Sequence, residues 1–153
     1  MKKSLLFSGL LATTLLTLNS CSKDDDPAPG PGATKNIKFT FSTTGVSIAE
    51  GDAVHFNLAG SNGSLNSTLW KVNGVTRSNE QGFIIAEEEL AAGGTFVVES
   101  VTPLYSASIS VSAQNFGATN YNLRFKAEVN GTVQNDNNEN ITTSGGYIKS
   151  FTY

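Results

Sequence analysis

Apolar and polar residues alternate along most of the chain beyond residue 36. Tyr121, Leu123, Phe125, Ala127 and Val129 fall on one side of an extended segment, with Asn122, Arg124, Lys126 and Glu128 on the other. Successive side chains of a strand point to opposite faces, so this alternation predicts a half-buried β-strand. The same pattern recurs at Ile37, Phe39 and Phe41, at Val54, Phe56 and Leu58, at Phe96 and Val98, and at Ile109, Val111 and Ala113. Trp70 and Val72 begin another strand, which runs into Asn73-Gly74. That dipeptide tolerates positive φ at both positions and predicts a type I′ hairpin between Leu69–Val72 and Val75–Arg77. Phe83–Ile85, apolar throughout, reads as a short buried strand, and Tyr147–Tyr153 as a last strand after a long polar loop. Helical periodicity is confined to one turn around Glu87–Leu90. About seven to nine short strands, each with one apolar face, can bury those faces only against a second sheet. The expected fold is therefore all-β, an immunoglobulin-like sandwich with Trp70 as its buried aromatic.

The first residues follow a different pattern. Lys2 and Lys3 precede an apolar run from Leu5 to Leu18. That run is short of the ~20 residues a spanning helix needs, and it has the length of a signal-peptide core. Cys21, the one cysteine in the chain, comes directly after Leu18-Asn19-Ser20. An aliphatic residue at −3 and a small one at −1 resemble the lipobox of bacterial lipoproteins. That resemblance implies cleavage after Ser20 and acylation of Cys21. Ser22-Lys23-Asp24-Asp25-Asp26 resembles the tail with which Bacteroidota-type bacteria export lipoproteins to the cell surface. It implies an outer-membrane, outward-facing protein anchored through lipid. Pro27-Ala28-Pro29-Gly30-Pro31-Gly32 then denies both helix and ladder pairing. The chain thus divides into a signal peptide (1–20), an acidic and Pro/Gly-rich tether (21–35) and a sandwich domain (36–153).

Removing Lys2 and Lys3 leaves eight basic residues against thirteen acids, a net charge of −5. Such a balance disfavours nucleic-acid binding and attraction to anionic lipid. With a single cysteine no internal disulfide can form, so the domain must be stabilised by burial.

Several segments between Glu50 and Phe125 resemble the TraQ-like conjugal-transfer lipoproteins of Bacteroidota conjugative elements. They are the Glu50-Gly51 turn before the Val54/Phe56 strand, the Trp70 strand, Thr95-Phe96, the Ile109–Ala113 strand running into Asn115-Phe116-Gly117, and Leu123-Arg124-Phe125. The resemblance covers roughly half of the chain and implies a sandwich behind a lipobox that works in a conjugal-transfer assembly. Gly131–Tyr153 stands as an addition to that pattern.

The titratable residues are poorly placed for catalysis. His55, the one histidine, alternates with Val54 and Phe56 and is expected to face outward. A lone histidine does not build a zinc site. Glu87, Glu88 and Glu89 are consecutive and read as a solvated bulge rather than an acid/base pair. Asp136, Asn138 and Asn140 match the opening of a calcium loop, but Ile141 stands where that loop needs glycine and Tyr147 where it needs glutamate. They remain candidates for an irregular calcium site. No cofactor motif is present, and Gly93-Gly94 precedes a strand rather than the helix of a phosphate loop. The expectation is a non-catalytic binding or structural module. Its expected partners are the membrane, through the anchor, and a protein of an envelope assembly. The alternative is glycan capture on exposed rings, with Phe116 and Tyr147 as candidates and Tyr105 and Tyr153 behind them.

Overall fold

The computed structural model describes residues 32–65 and 68–153. Ten strands run through them: β1 (Ile37–Thr44), β2 (Ala53–Ser61), β3 (Trp70–Val72), β4 (Val75–Arg77), β5 (Gly82–Ile85), β6 (Thr95–Ser100), β7 (Ser106–Gln114), β8 (Tyr121–Val129), β9 (Thr132–Ile141) and β10 (Gly146–Thr152). A 3₁₀ turn (Ile48–Glu50) and one helical turn, α1 (Glu87–Leu90), complete the set. Six strands form one sheet in the order β4-β3-β6-β1-β8-β9, and four form the other in the order β10-β7-β2-β5. Every pairing is antiparallel. The result is the expected β-sandwich.

The alternating residues meet between the sheets. Phe39, Phe41, Val54, Phe56, Leu58, Val98, Ile109, Val111, Leu123 and Phe125 are all fully buried there. Phe41 of one sheet stacks on Phe56 of the other with ring centroids 4.0 Å apart. Trp70 is buried, though β3 lies second from the sheet edge rather than at its centre. Its indole Nε1 donates to the Gln81 carbonyl at 3.1 Å, which satisfies the buried polar atom. Gly60 makes room for the ring, since a Cβ there would lie 2.6 Å from Trp70 Cζ2. The Asn73-Gly74 turn has φ of 49° and 82°, as a type I′ hairpin requires.

Two sequence expectations fail. Phe83–Ile85 is not buried throughout. Ile85 is buried and half-buried Phe83 packs edge-on against Trp70, but Ile84 points outward at 54% exposure, because β5 is the edge of its sheet and has solvent on its outer face. The long polar loop is instead β9, ten residues paired along β8. Asn130-Gly131, with φ of 50° and 78°, makes the tight turn between them. β9 lacks an apolar face because it sits at the sheet margin. Its inward positions Asn135, Asn137 and Glu139 pair with Ala127, Phe125 and Leu123. Asn135 Oδ1 accepts a 2.7 Å hydrogen bond from the Tyr153 hydroxyl just beyond β10, which closes that side of the sandwich.

Candidate functional site

The chain enters β1 at one end of the sandwich. The loops at the other end carry the densest side-chain bonding to backbone. Their centre is Asp52, 3% exposed. One carboxylate oxygen accepts from the Ser47 amide at 2.9 Å. The other accepts from the amides of Phe116 and Gly117, both at 3.1 Å. Glu50, at the end of the 3₁₀ turn, accepts from the Ala118 amide at 2.8 Å. Loop amides have no ladder partner, so a carboxylate that collects three of them replaces a missing strand. Gly117 is required by this approach, since a Cβ there would run into the Glu50 carboxylate.

Asn115 ties in a third loop. Fully buried, it donates from Nδ2 to the carbonyls of Thr119 at 2.8 Å and Ile141 at 3.0 Å. Its own amide and carbonyl pair with Gly145 and Ser144. The Thr143 amide donates to Asn120 Oδ1 at 3.0 Å. Below these loops the Tyr121 hydroxyl donates to the Ala53 carbonyl. Burial, reinforced by the nearby Asp52 charge and opposed by a backbone hydrogen bond at Gln114, pushes its pKa up to about 12.

Phe116 sits on this framework with its backbone gripped and its ring 65% exposed. Ile48, at 48% exposure, lies on the loop that Asp52 ties to it. Both oxygens of Asp52 accept from backbone N–H donors, an arrangement that holds the loops together. The end presents an apolar side chain on a stiff base.

Of the two ring candidates, Phe116 is presented and Tyr147 is not. Tyr147 packs against the core, and its hydroxyl is buried without a hydrogen-bond partner. Its pKa is raised by burial and then by Glu139. Tyr105 is 38% exposed at the opposite end of the sandwich, and Tyr153 is engaged with Asn135.

Asp136, Asn138 and Asn140 do not form an ion loop. They project from one exposed side of β9, about 7 Å from one to the next, whereas calcium ligands sit about 2.3–2.6 Å from their ion. Asp136 pairs with Arg124 at 3.5 Å instead. Among the described residues no three His, Cys, Asp or Glu side chains gather as a metal site.

His55 faces outward from β2, as expected, with Nδ1 3.2 Å from Glu87 Oε2. The acidic run is therefore not a simple solvated bulge. Glu87 turns toward His55, and Leu90 is buried, its carbonyl accepting from the Thr43 hydroxyl. Cys21 and Ser22–Asp26 lie outside the described residues. Asp52 and Asn115 were not anticipated. Their sequence signal is slight: each is a polar residue next to a strand end, a position turn formers occupy routinely.

No family model matches the chain, and no curated protein matches it. Three solved structures share the fold. The calcium-bound form of a protein from Parabacteroides distasonis superposes with a TM-score of 0.59 at 15% identity, covering 84% of this chain and 98% of that one. A DUF4425 family protein from Bacteroides ovatus gives 0.56 at 8% identity, covering 79% and 95%. A DUF4425 domain of unknown function from Bacteroides vulgatus gives 0.55 at 9%, covering 78% and 94%. At these identities the likeness is one of fold.

Proposed function

We propose that this is a lipid-anchored, outward-facing outer-membrane protein whose sandwich is a non-catalytic binding module for another protein of an envelope assembly. The anchor rests on Cys21 in its lipobox-like setting and on the Ser22–Asp26 tail. The module rests on one observation above others: Phe116 is held outward by an amide-gripped loop at the end away from the entering chain. A solvated ring on a stiff base loses little conformational entropy on docking, and aromatic residues of this kind anchor protein interfaces. Conjugal transfer is the assembly that the Glu50–Phe125 resemblance implies.

Glycan capture is the second reading. It is favoured by the same exposed ring and weakened by the position of Tyr147, which packs inward and leaves Phe116 without a partner ring in that candidate pair. Calcium, found in the Parabacteroides distasonis structure, is assigned to no residues here. Asp52 is buried and takes three amide bonds, and Asp136, Asn138 and Asn140 diverge along β9.

Two experiments test the proposal. Labelled palmitate enters the native protein and is lost in Cys21→Ala; label retained in that variant refutes the anchor. Cross-linking on intact cells captures an envelope protein with the native chain and not with Phe116→Ala. Binding to a polysaccharide array that disappears in Phe116→Ala reverses the order of the two readings.

A further inference from the structure

We propose that the end at which the chain enters the sandwich rests on the lipid surface, with Leu65, Val101 and Tyr105 as its contacts. Leu65 is 92% exposed, and Val101 and Tyr105 are 44% and 38% exposed. Leu65 follows β2, Val101 follows β6 and Tyr105 precedes β7, and the Val101 amide donates to the Leu69 carbonyl while the Tyr105 amide donates to Ser61, which sets these segments at one end. Ser61 is opposite Ser106, and Lys38, beside the start of β1, is opposite Glu99 near the end of β6.

The patch is held in place. Lys35 and Leu104 exchange two backbone hydrogen bonds of 2.8 Å, which fixes the entering chain immediately beside Tyr105. The Tyr105 amide donates to Ser61 at 2.8 Å. Gly63 lets the loop lie against the Tyr105 ring, since a Cβ there would sit 2.9 Å from it. Gln81 Nε2 donates to the Leu65 carbonyl at 2.7 Å, which fixes the backbone beneath the exposed Leu65 side chain.

The occupant follows from where the chain leads. This inference rests on the anchor proposed above. If Cys21 is acylated, about fourteen residues separate the lipid from Lys35, a reach of at most about 50 Å. The bilayer then stays within tether reach of the domain, and the entry end is where the tether joins it. The chemistry suits an interface: a protruding leucine, a smaller aliphatic residue and a tyrosine, whose ring and hydroxyl favour the boundary between apolar and wet. The mature chain is acidic, so the contact is apolar rather than a pull on anionic headgroups. Seated this way, the domain points Phe116 away from the membrane.

The test uses the native acylated protein on vesicles of phosphatidylethanolamine and phosphatidylglycerol. Leu65→Cys and, at the far end, exposed Thr119→Cys each carry a polarity-sensitive fluorophore. Burial of Trp70, read from its emission, confirms folding of both. Flotation with the vesicles reads the anchor separately. The expected result is flotation of both variants, with emission shifted to shorter wavelength and quenched by nitroxide lipids at position 65 and neither at 119. Flotation with a water-like signal at position 65 overturns the inference and leaves the anchor standing. Quenching at both positions overturns the end-on seating. Absence of flotation refutes the anchor, and this inference with it.

Discussion

The two ends of the sandwich solve the same problem differently. At the far end the loops cannot pair as strands, and side chains take over their backbone groups: Asp52 holds three amides, Glu50 one, and Asn115 two carbonyls. At the entry end most loop order comes from backbone pairs, with scattered help from Asn130, Ser100 and Gln81 side chains. Lys35 pairs with Leu104, Tyr105 with Ser61, and Tyr153 with Ala107. The first arrangement gathers three of its loop amides on one buried carboxylate. The second disperses its bonds over backbone pairs and separate side chains. An end that leans on one residue should suffer most when that residue changes, and an end with dispersed bonds should tolerate single changes better.

The largest expected effect is at Asp52. Asp52→Ala leaves three amides without an acceptor, and stability falls by about 3 kcal/mol in denaturant unfolding. Asp52→Asn keeps one accepting oxygen and costs about half of that. If Asp52→Ala costs no more than a surface substitution, the far end does not depend on its carboxylate.

Alkali tests both ends next. Tyr121 lies near the far end and Tyr153 near the entry end, and burial pushes the pKa of each up to about 12. A phenol raised from an ordinary value of 10 binds its proton more tightly folded than unfolded, so stability is intact below pH 10 and falls as pH rises toward 12. The loss at Tyr121 approaches about 3 kcal/mol once its phenol ionises. Tyr121→Phe and Tyr153→Phe should each flatten that slope, measured by unfolding across the range; a slope unchanged in either variant would show that its phenol does not contribute.

A smaller effect belongs to Tyr153→Phe at neutral pH, which removes the bond to Asn135 and costs about 1 kcal/mol. The smallest effects are at Phe116→Ala and Leu65→Ser, both exposed and expected within about 0.5 kcal/mol of the native chain. Their value lies in that silence: loss of partner capture in Phe116→Ala then reports contact rather than unfolding.

The failures of the sequence reading are informative by residue. β8 was legible because each of its inward residues, Tyr121 to Val129, is apolar. β9 was not, because Asn135, Asn137 and Glu139 face inward half-buried at the sheet margin, where Asn135 meets the Tyr153 hydroxyl rather than a core. Asn130-Gly131 was an available hairpin signal of the same kind as Asn73-Gly74, masked by the polarity of the strand it introduces. At the candidate site Phe116 was visible as an aromatic residue in a turn. Asp52 was not, since a single aspartate before a strand has no pattern to mark it.

The sequence by itself determined the class of fold and most of the buried face, because alternation fixes which side of each strand avoids water. It also carries the Cys21 setting, which is a matter of local motif. Only the tertiary structure decided which loops share an end, that Asp52 reaches the amides of Phe116 and Gly117 some sixty residues away, and that a polar segment completes a sheet. Those outcomes depend on hydrogen bonds between distant backbone groups, and backbone groups are the same in every residue but proline.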